Sequence, residues 1–271
     1  ADLFESFDSD STVKLQAINI APGNSRFYSE DGLVYEGQTL VYIPQGLAQV
    51  SVKAGTEIIG ERAGKTHMRL EKVVLPEGVK IVGVSAFQNC FALEEINLPQ
   101  SLRRIEPFAF LGCEELKEIN IPKDLEYIGK LALYELEKIK QLVVPEKIEK
   151  IEEYAVAGND EMEHLILPRN LKEIAKCGAS FCKSLKELYL PEKQLLSIGD
   201  QGFGACYELE HLELPQSLQS IGEEGFSYGQ KLKSIYLPGS VVLGKNVFKE
   251  TLPSQKVWVF THDENDTIKQ L

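Results

Sequence analysis

The chain has 271 residues, of which 43% are hydrophobic and 26% charged, and 41 acidic against 29 basic side chains give it a formal net charge of −12. This composition is that of a folded protein, and the negative charge without any basic run argues against nucleic acid and anionic membrane surfaces as partners. No apolar stretch approaches the length needed to cross a bilayer, so we expect no membrane insertion of this segment.

The first fourteen residues are mostly polar and acidic. A signal peptide requires a positively charged start followed by an apolar segment, so none is predicted in residues 1–14. The chain starts with Ala1 rather than Met, which leads us to expect a processed or trimmed protein.

A repeat occupies most of the chain, and prolines that follow an apolar residue mark its period. Neighbouring prolines of this set lie 23 residues apart, except Pro191 and Pro215, which lie 24 apart. The set comprises Pro76, Pro99, Pro122, Pro145, Pro168, Pro191, Pro215 and Pro238. We call the exception, from Pro191 to Pro215, the long repeat. An ordinary unit reads LEEINLPQSLRRIEPFAFLGCEE, from Leu93 to Glu115. Such regular spacing predicts a repeat architecture in which each unit packs on its neighbours.

Each unit begins with the segment L-x-x-I-x-L, whose residues we number as positions one to six. The segment predicts a short strand that turns Leu93, Ile96 and Leu98 inward and ends at a proline, which cannot donate to a central ladder. One repeat alone buries too few side chains to offset its ordering entropy, so the units must stack. We therefore expect parallel strands in one continuous sheet, near residues 70–75, 93–98, 116–121, 139–144, 162–167, 185–190, 209–214 and 232–237, with a closing strand at 256–260.

The full pattern, L-x-x-I-x-L-P-x-x-L-x-x-I-x-x-x-A-F-x-x-C, resembles the BspA-like class of leucine-rich repeat, most clearly from Leu93 to Glu115 and from Leu209 to Lys231. The resemblance covers about Leu15 to Phe260. It implies an α/β-type repeat fold, a right-handed leucine-rich repeat solenoid with a curved parallel sheet on one face and short helical or irregular return segments on the other. Departures from the pattern fall in the middle repeats: Leu133, Val156 and Ala179 replace Phe, and Leu136 and Asn159 replace Cys.

Residues 21–46 resemble a hairpin insertion of the same family, which would pair 33–35 with 40–43 around Gly37. We expect a single solenoid domain over residues 1–271. It divides into a partial repeat with the hairpin (1–46), regular repeats (47–251), and a closing strand with a tail (252–271). The resemblance also implies a secreted or cell-surface bacterial protein that works in adhesion.

Four of the five cysteines share one repeat column, and Cys177 lies outside it: Cys90, Cys113, Cys182 and Cys206. They could form disulfides or a metal site, or they could be small buried core thiols. An odd count without any C-x-x-C pair favours the core thiols.

Catalytic and cofactor motifs are missing from the sequence. His164 and His211 share position three but lie two repeats apart, too far for two ligands of one zinc ion. The G-x-G at 202–204 lacks the rest of a dinucleotide motif. We therefore predict no catalytic, cofactor or metal site, and a protein that is not an enzyme.

The outer face of the sheet is the most informative surface. Position two carries four acids and four bases, often of opposite sign on neighbouring strands, which indicates a charge ladder. Position five carries Val74, Asn97, Asn120, Val143, Ile166, Tyr189, Glu213, Tyr236 and, if the closing strand is in register, Trp258. Exposed aromatic residues are typical anchors of interfaces. We predict a ligand-binding site centred on Tyr189, His211, Glu213 and Tyr236, with Trp258 at its edge; alternatively, Trp258 seals the last repeat.

These observations favour a non-catalytic binding module, with a host or extracellular-matrix protein as the partner. Two alternatives stay open. Tyr and Trp rings also stack on sugars, so the chain could be a carbohydrate-binding module, and an array of glycans against matrix proteins would separate the two. It could also be an accessory domain of a larger surface enzyme, which the full gene would reveal.

Overall fold

A computed structural model describes residues 14–251, 258–261 and 269–270. The chain forms two compact units, Ala1–Leu136 and Glu137–Leu271, which we call the N-terminal and C-terminal units. Each is a β-solenoid of the leucine-rich repeat type, built from turns of about 23 residues. In the described part of the chain, no helix is long and apolar enough to cross a membrane.

The N-terminal unit contains two parallel ladders. Position-three to position-five residues form the first ladder: β4 (Gln49–Ser51), β6 (Lys72–Val74) and β8 (Glu95–Asn97). Two-residue strands form the second: β5 (Ile58–Ile59), β7 (Ile81–Val82), β9 (Arg104–Ile105) and β10 (Tyr127–Ile128).

An antiparallel hairpin extends the second ladder at its N-terminal end. β2 (Leu33–Glu36) pairs with β3 (Thr39–Tyr42), which confirms the predicted hairpin, and β3 continues in parallel into β5. An additional strand, β1 (Tyr28–Glu30), was not expected from the sequence, and it pairs with β2.

The C-terminal unit repeats this arrangement. Its first ladder comprises β11 (Gln141–Val143), β13 (His164–Ile166) and β15 (Glu187–Tyr189), and separately β17 (His211–Glu213), β19 (Ser234–Leu237), β21 (Trp258–Thr261) and β22 (Lys269–Gln270). Its second ladder comprises β12 (Lys150–Ile151), β14 (Glu173–Ile174), β16 (Ser197–Ile198), β18 (Ser220–Ile221) and β20 (Val242–Leu243). The closing strand is confirmed as β21, which pairs in parallel with β19.

Two expectations about the first ladder are wrong. Residues 116–121 do not form a strand. The expected continuous sheet is also interrupted within the C-terminal unit, because β15 and β17 belong to different sheets. The interruption coincides with the long repeat, which begins just after β15.

The return segments were expected to be either helical or irregular, and they are irregular. They contain turns and two-residue strands, and the described residues include no helix. Each repeat contains left-handed residues, such as Ser85 (φ 55°) and Asn89 (φ 58°). A left-handed residue cannot continue a right-handed helix, which explains why the return stays irregular.

The core consists of stacked side-chain columns. Ile96 at position four lies inward between exposed neighbours, as the alternation predicts. The Phe column stacks directly where it is intact, with ring centroids 5.6 Å apart for Phe87 and Phe110 and 5.4 Å apart for Phe203 and Phe226. Smaller side chains fill the same column in the middle repeats and are also fully buried: Leu133, Val156 and Ala179.

A candidate binding face on the first ladder

The first ladder exposes position five because the strands alternate sides. In β11, β13 and β15 the burial pattern is exposed, buried, exposed, so positions three and five share the outer face. Parallel pairing places Val143 beside Ile166, and Ile166 beside Tyr189. These three residues are 49%, 44% and 71% exposed, and we call them the apolar stripe.

Tyr189 is more exposed than Tyr236, at 71% against 38%. Its hydroxyl donates a hydrogen bond of 3.2 Å to Oε2 of Glu187, two residues earlier on the same strand. This hydrogen bond to a carboxylate raises the pKa of the Tyr189 hydroxyl, because it stabilises the protonated form. The ring faces remain accessible to a ligand.

The other predicted residues lie on β17 and β19. Nδ1 of His211 is 2.8 Å from the hydroxyl oxygen of Ser234 on the neighbouring strand. The strand register places Glu213 beside Tyr236, which is 38% exposed. His211, Glu213 and Tyr236 therefore form one group, separated from the strand of Tyr189 by the interruption of the ladder.

The register of the closing strand corrects the assignment of Trp258. Its backbone lies opposite Ser234, at position three, and Phe260 lies opposite Tyr236 at position five. The sequence prediction placed the strand two residues out of register because no proline marks the end of this repeat. Trp258 therefore belongs to a different column from Tyr189 and Tyr236.

Val143 and Ile166 are candidate contact residues that the predicted site omitted. Both are β-branched residues at a solvent-facing position, where most soluble proteins scatter apolar side chains singly. Their place in position five was visible in the sequence, but the prediction selected only aromatic and polar residues. The structure adds that they form one line with Tyr189.

The long repeat opens the surface around Tyr189. The chain needs two residues, Arg169 and Asn170, to pass from Pro168 to Leu171, but it uses three, 192–194, to pass from Pro191 to Leu195. A cavity of about 550 Å³ lies between these two turns, which we call the turn cavity; its lining includes Arg169, Asn170, Tyr189, Glu192, Lys193 and Gln194. A second cavity, of about 390 Å³, is lined by Tyr189 and Glu213 among others.

Ion pairs between neighbouring repeats cover much of the remaining surface. Nζ of Lys186 lies 2.6 Å from Glu163, and Nζ of Lys233 lies 2.5 Å from Glu210, so position two is a charge ladder as predicted. The hydrogen bond from Lys186 lowers the pKa of Glu163. Pairs of this kind are exposed and hydrated, so they provide little net affinity for a partner.

The equivalent face of the N-terminal unit is polar. The side-chain amide of Asn97 accepts a 2.8 Å hydrogen bond from the Leu75 amide and donates one of 2.8 Å to the Leu75 carbonyl. Lys117 pairs with Glu94, and Lys72 with Glu95. These polar side chains are therefore committed to contacts within the unit, whereas Val74 on the same face is 41% exposed.

The cysteine column lies in the core, as predicted. Cys90, Cys113, Cys182 and Cys206 are at most 1% exposed. Burial raises the pKa of Cys182 to about 12 and holds the pKa of Cys113 well above its ordinary value. Thiols that stay protonated are poor nucleophiles. Among the described residues, no group of three or more His, Cys, Asp or Glu side chains could hold a metal ion.

Comparisons with known proteins agree with this architecture. A family model described as the BspA type leucine rich repeat region matches residues 42–163 and 156–269. A leucine-rich repeat protein from Bacteroides ovatus is 27% identical, with a TM-score of 0.77 over 90% of this chain and 63% of that chain. The chain thus spans less than two thirds of that relative.

A second solved structure, a leucine rich repeat protein from T. pallidum, is 25% identical, with a TM-score of 0.58 over 71% of this chain and 91% of that chain. A search of curated protein sequences found no match.

Proposed function

Because the chain belongs to the family of BspA-type leucine-rich repeat proteins, we propose that it is a non-catalytic binding module of a secreted or cell-surface bacterial protein. Its role is adhesion to a host or extracellular-matrix protein. Leucine-rich repeat proteins generally bind proteins, and their stacked turns present an extended surface for this purpose.

The apolar stripe of the C-terminal unit carries this proposal. Val143, Ile166 and Tyr189 are adjacent, exposed and in register on three strands. Burying such a line removes apolar surface from water at about 25 cal/mol per Å². A stiff aromatic residue at one end supplies the type of anchor that dominates interface energetics.

The charges beside the stripe indicate the chemistry of the protein partner. Glu187 and Glu213 are exposed near Tyr189, and neither makes an ion pair with any residue that the structure describes. A partner that combines apolar side chains with lysine or arginine would complement both features. His211 and Tyr236 extend the same face on β17 and β19, and Trp258 lies in the closing strand at its edge.

The direct test is a triple substitution of the stripe, Val143→Ser, Ile166→Ser and Tyr189→Ser. The variant and the parent chain are compared by surface plasmon resonance on a panel of immobilised extracellular-matrix proteins. Loss of a central anchor corresponds to at least about 30-fold weaker binding. Thermal unfolding should stay nearly unchanged, because these side chains are exposed.

Val74→Ser is the matched control, because Val74 is a 41% exposed residue at position five of the N-terminal unit. It should bind as the parent chain does. A second variant, Tyr189→Ala with Tyr236→Ala, tests the aromatic residues separately. Unaltered affinity in the folded triple variant would exclude the apolar stripe as the contact surface.

A further inference from the structure

Two cations line the turn cavity. Many lysines of the chain pair with a carboxylate at the equivalent place of the adjacent repeat, as in Lys172 with Glu149 and Lys183 with Asp160. Arg169 and Lys193 both line the turn cavity, and neither has an ion pair within the described residues. One carboxylate, Glu192, is among the lining residues, and a second, Glu146, accepts a 3.0 Å hydrogen bond from the Arg169 backbone amide.

The remaining groups of the turn cavity suit a polar ring. Tyr189 offers an exposed aromatic surface on its wall. The amide of Asn170 donates to the Glu146 carbonyl at 3.3 Å, which leaves its oxygen available as an acceptor. Gln194 adds an amide that can both donate and accept. A concave site with an apolar wall and a few convergent polar groups is typical of small-ligand sites.

We propose that the turn cavity binds the carboxylate-bearing ring of an acidic sugar. Arg169 and Lys193 hold the carboxylate, since the planar guanidinium matches both of its oxygens. The ring of Tyr189 packs against the sugar ring, and Asn170 and Gln194 contact its hydroxyl groups. The net charge of −12 opposes long polyanions, so the ligand is a single acidic residue at the end of a glycan.

The extra residue of the long repeat creates this site. The shorter turn from Pro168 to Leu171 has room for two residues, whereas the turn after Pro191 holds Glu192, Lys193 and Gln194. Deleting Gln194 restores the ordinary length and should close the cavity without touching the buried columns.

The test is saturation-transfer NMR on the full chain with D-glucuronic acid as the probe and D-glucose as its neutral counterpart. Glucuronate should bind at least about tenfold more tightly than glucose, the size expected for a hydrogen bond to a charged group. Arg169→Ala and Lys193→Ala should each weaken glucuronate binding to a similar extent, and deletion of Gln194 should abolish it.

Lys123→Ala is the matched control, because Lys123 follows Pro122 as Arg169 follows Pro168; it should leave glucuronate binding unchanged. Absence of glucuronate binding, equal binding of glucose, or indifference to both point substitutions would overturn the proposal. Tighter binding of a triglutamate peptide would replace the sugar with an acidic peptide and overturn it as well.

The outcome is separable from that of the proposed protein-binding role. Ile166→Ser alters the apolar stripe but does not line the turn cavity, so it should retain glucuronate binding. Arg169→Ala should in turn retain binding to a matrix protein.

Discussion

Position five of the repeat carries Val74, Asn97 and Asn120 in the N-terminal unit, and Val143, Ile166 and Tyr189 in the C-terminal unit. Strands β8 and β13 have the same length and the same alternation of exposed and buried residues. In the first case Asn97 makes two hydrogen bonds with the backbone of Leu75. In the second case, Ile166 leaves apolar surface in water. The repeat therefore leaves position five open to change, for internal hydrogen bonding in one unit and for exposed apolar surface in the other.

The largest expected effect concerns stability, which should depend on the buried core and not on the exposed face of the first ladder. Phe110→Ala removes a fully buried ring that stacks on Phe87, and it should lower the free energy of unfolding by about 3–5 kcal/mol. Urea denaturation followed by circular dichroism measures this. Tyr189→Ala, which truncates an exposed ring, is the control and should unfold as the parent chain does. Equal destabilisation by both substitutions would contradict the distinction between core and face.

The next effect compares the two faces directly. Asn97→Ala removes both hydrogen bonds to the Leu75 backbone and should cost about 1–3 kcal/mol of stability. Ile166→Ala should stay within about 0.5 kcal/mol, as is usual for surface substitutions. Asn120→Ala is a matched control, because the Asn120 amide donates only a 3.4 Å bond to the Glu118 carboxylate. Equal stability of Asn97→Ala and Asn120→Ala would show that the hydrogen bonds of Asn97 do not stabilise the fold.

The smallest expected effect is a pH dependence specific to the N-terminal unit. His67 is fully buried, its Nε2 donates to the Pro44 carbonyl at 2.8 Å, and burial lowers its pKa below the ordinary 6.5. Since the folded pKa lies below the unfolded one, this stability is fully present above about pH 6.5 and is lost as the pH falls towards the folded pKa.

Melting temperatures measured between pH 7.5 and pH 5 should show this loss, and His67→Gln should flatten the profile. His164→Gln, at an exposed position of the C-terminal unit, should keep the slope of the parent chain. A slope that persists in His67→Gln would assign the dependence to other groups.

The period of the sequence was sufficient to predict the buried columns and most strands of the first ladder, and the family resemblance predicted the hairpin at residues 33–43. Leu93 and Ile96 repeat with a strict spacing, and their burial follows from the need of each turn to share its core. The strand expected at 116–121 was wrong, and the residue type at position five does not explain the difference, because Asn97 occupies the same position within β8. The sequence pattern did not distinguish helical from irregular return segments. Left-handed backbone positions, which the pattern does not reveal, make these segments irregular.

The candidate site was less predictable. Position five was identified, and Tyr189 is indeed exposed. The interruption between β15 and β17 was not foreseen, although it coincides with the extra residue between Pro191 and Pro215. A one-residue insertion has no defined spatial consequence until the neighbouring turns are placed. The predicted register of Trp258 was wrong for a similar reason, since no proline marks the end of that strand in the sequence.

The interruption also has a mechanical consequence. Hydrogen bonds of a parallel ladder run from strand to strand, so tension along the stack of the C-terminal unit loads them directly. At most steps two ladders share that load, as when β11 pairs with β13 and β12 pairs with β14. At the step from β15 to β17 the first ladder is interrupted, while β16 and β18 still pair. Under a pulling force, for example on a tethered protein in flow, this unit should therefore yield first beside Tyr189.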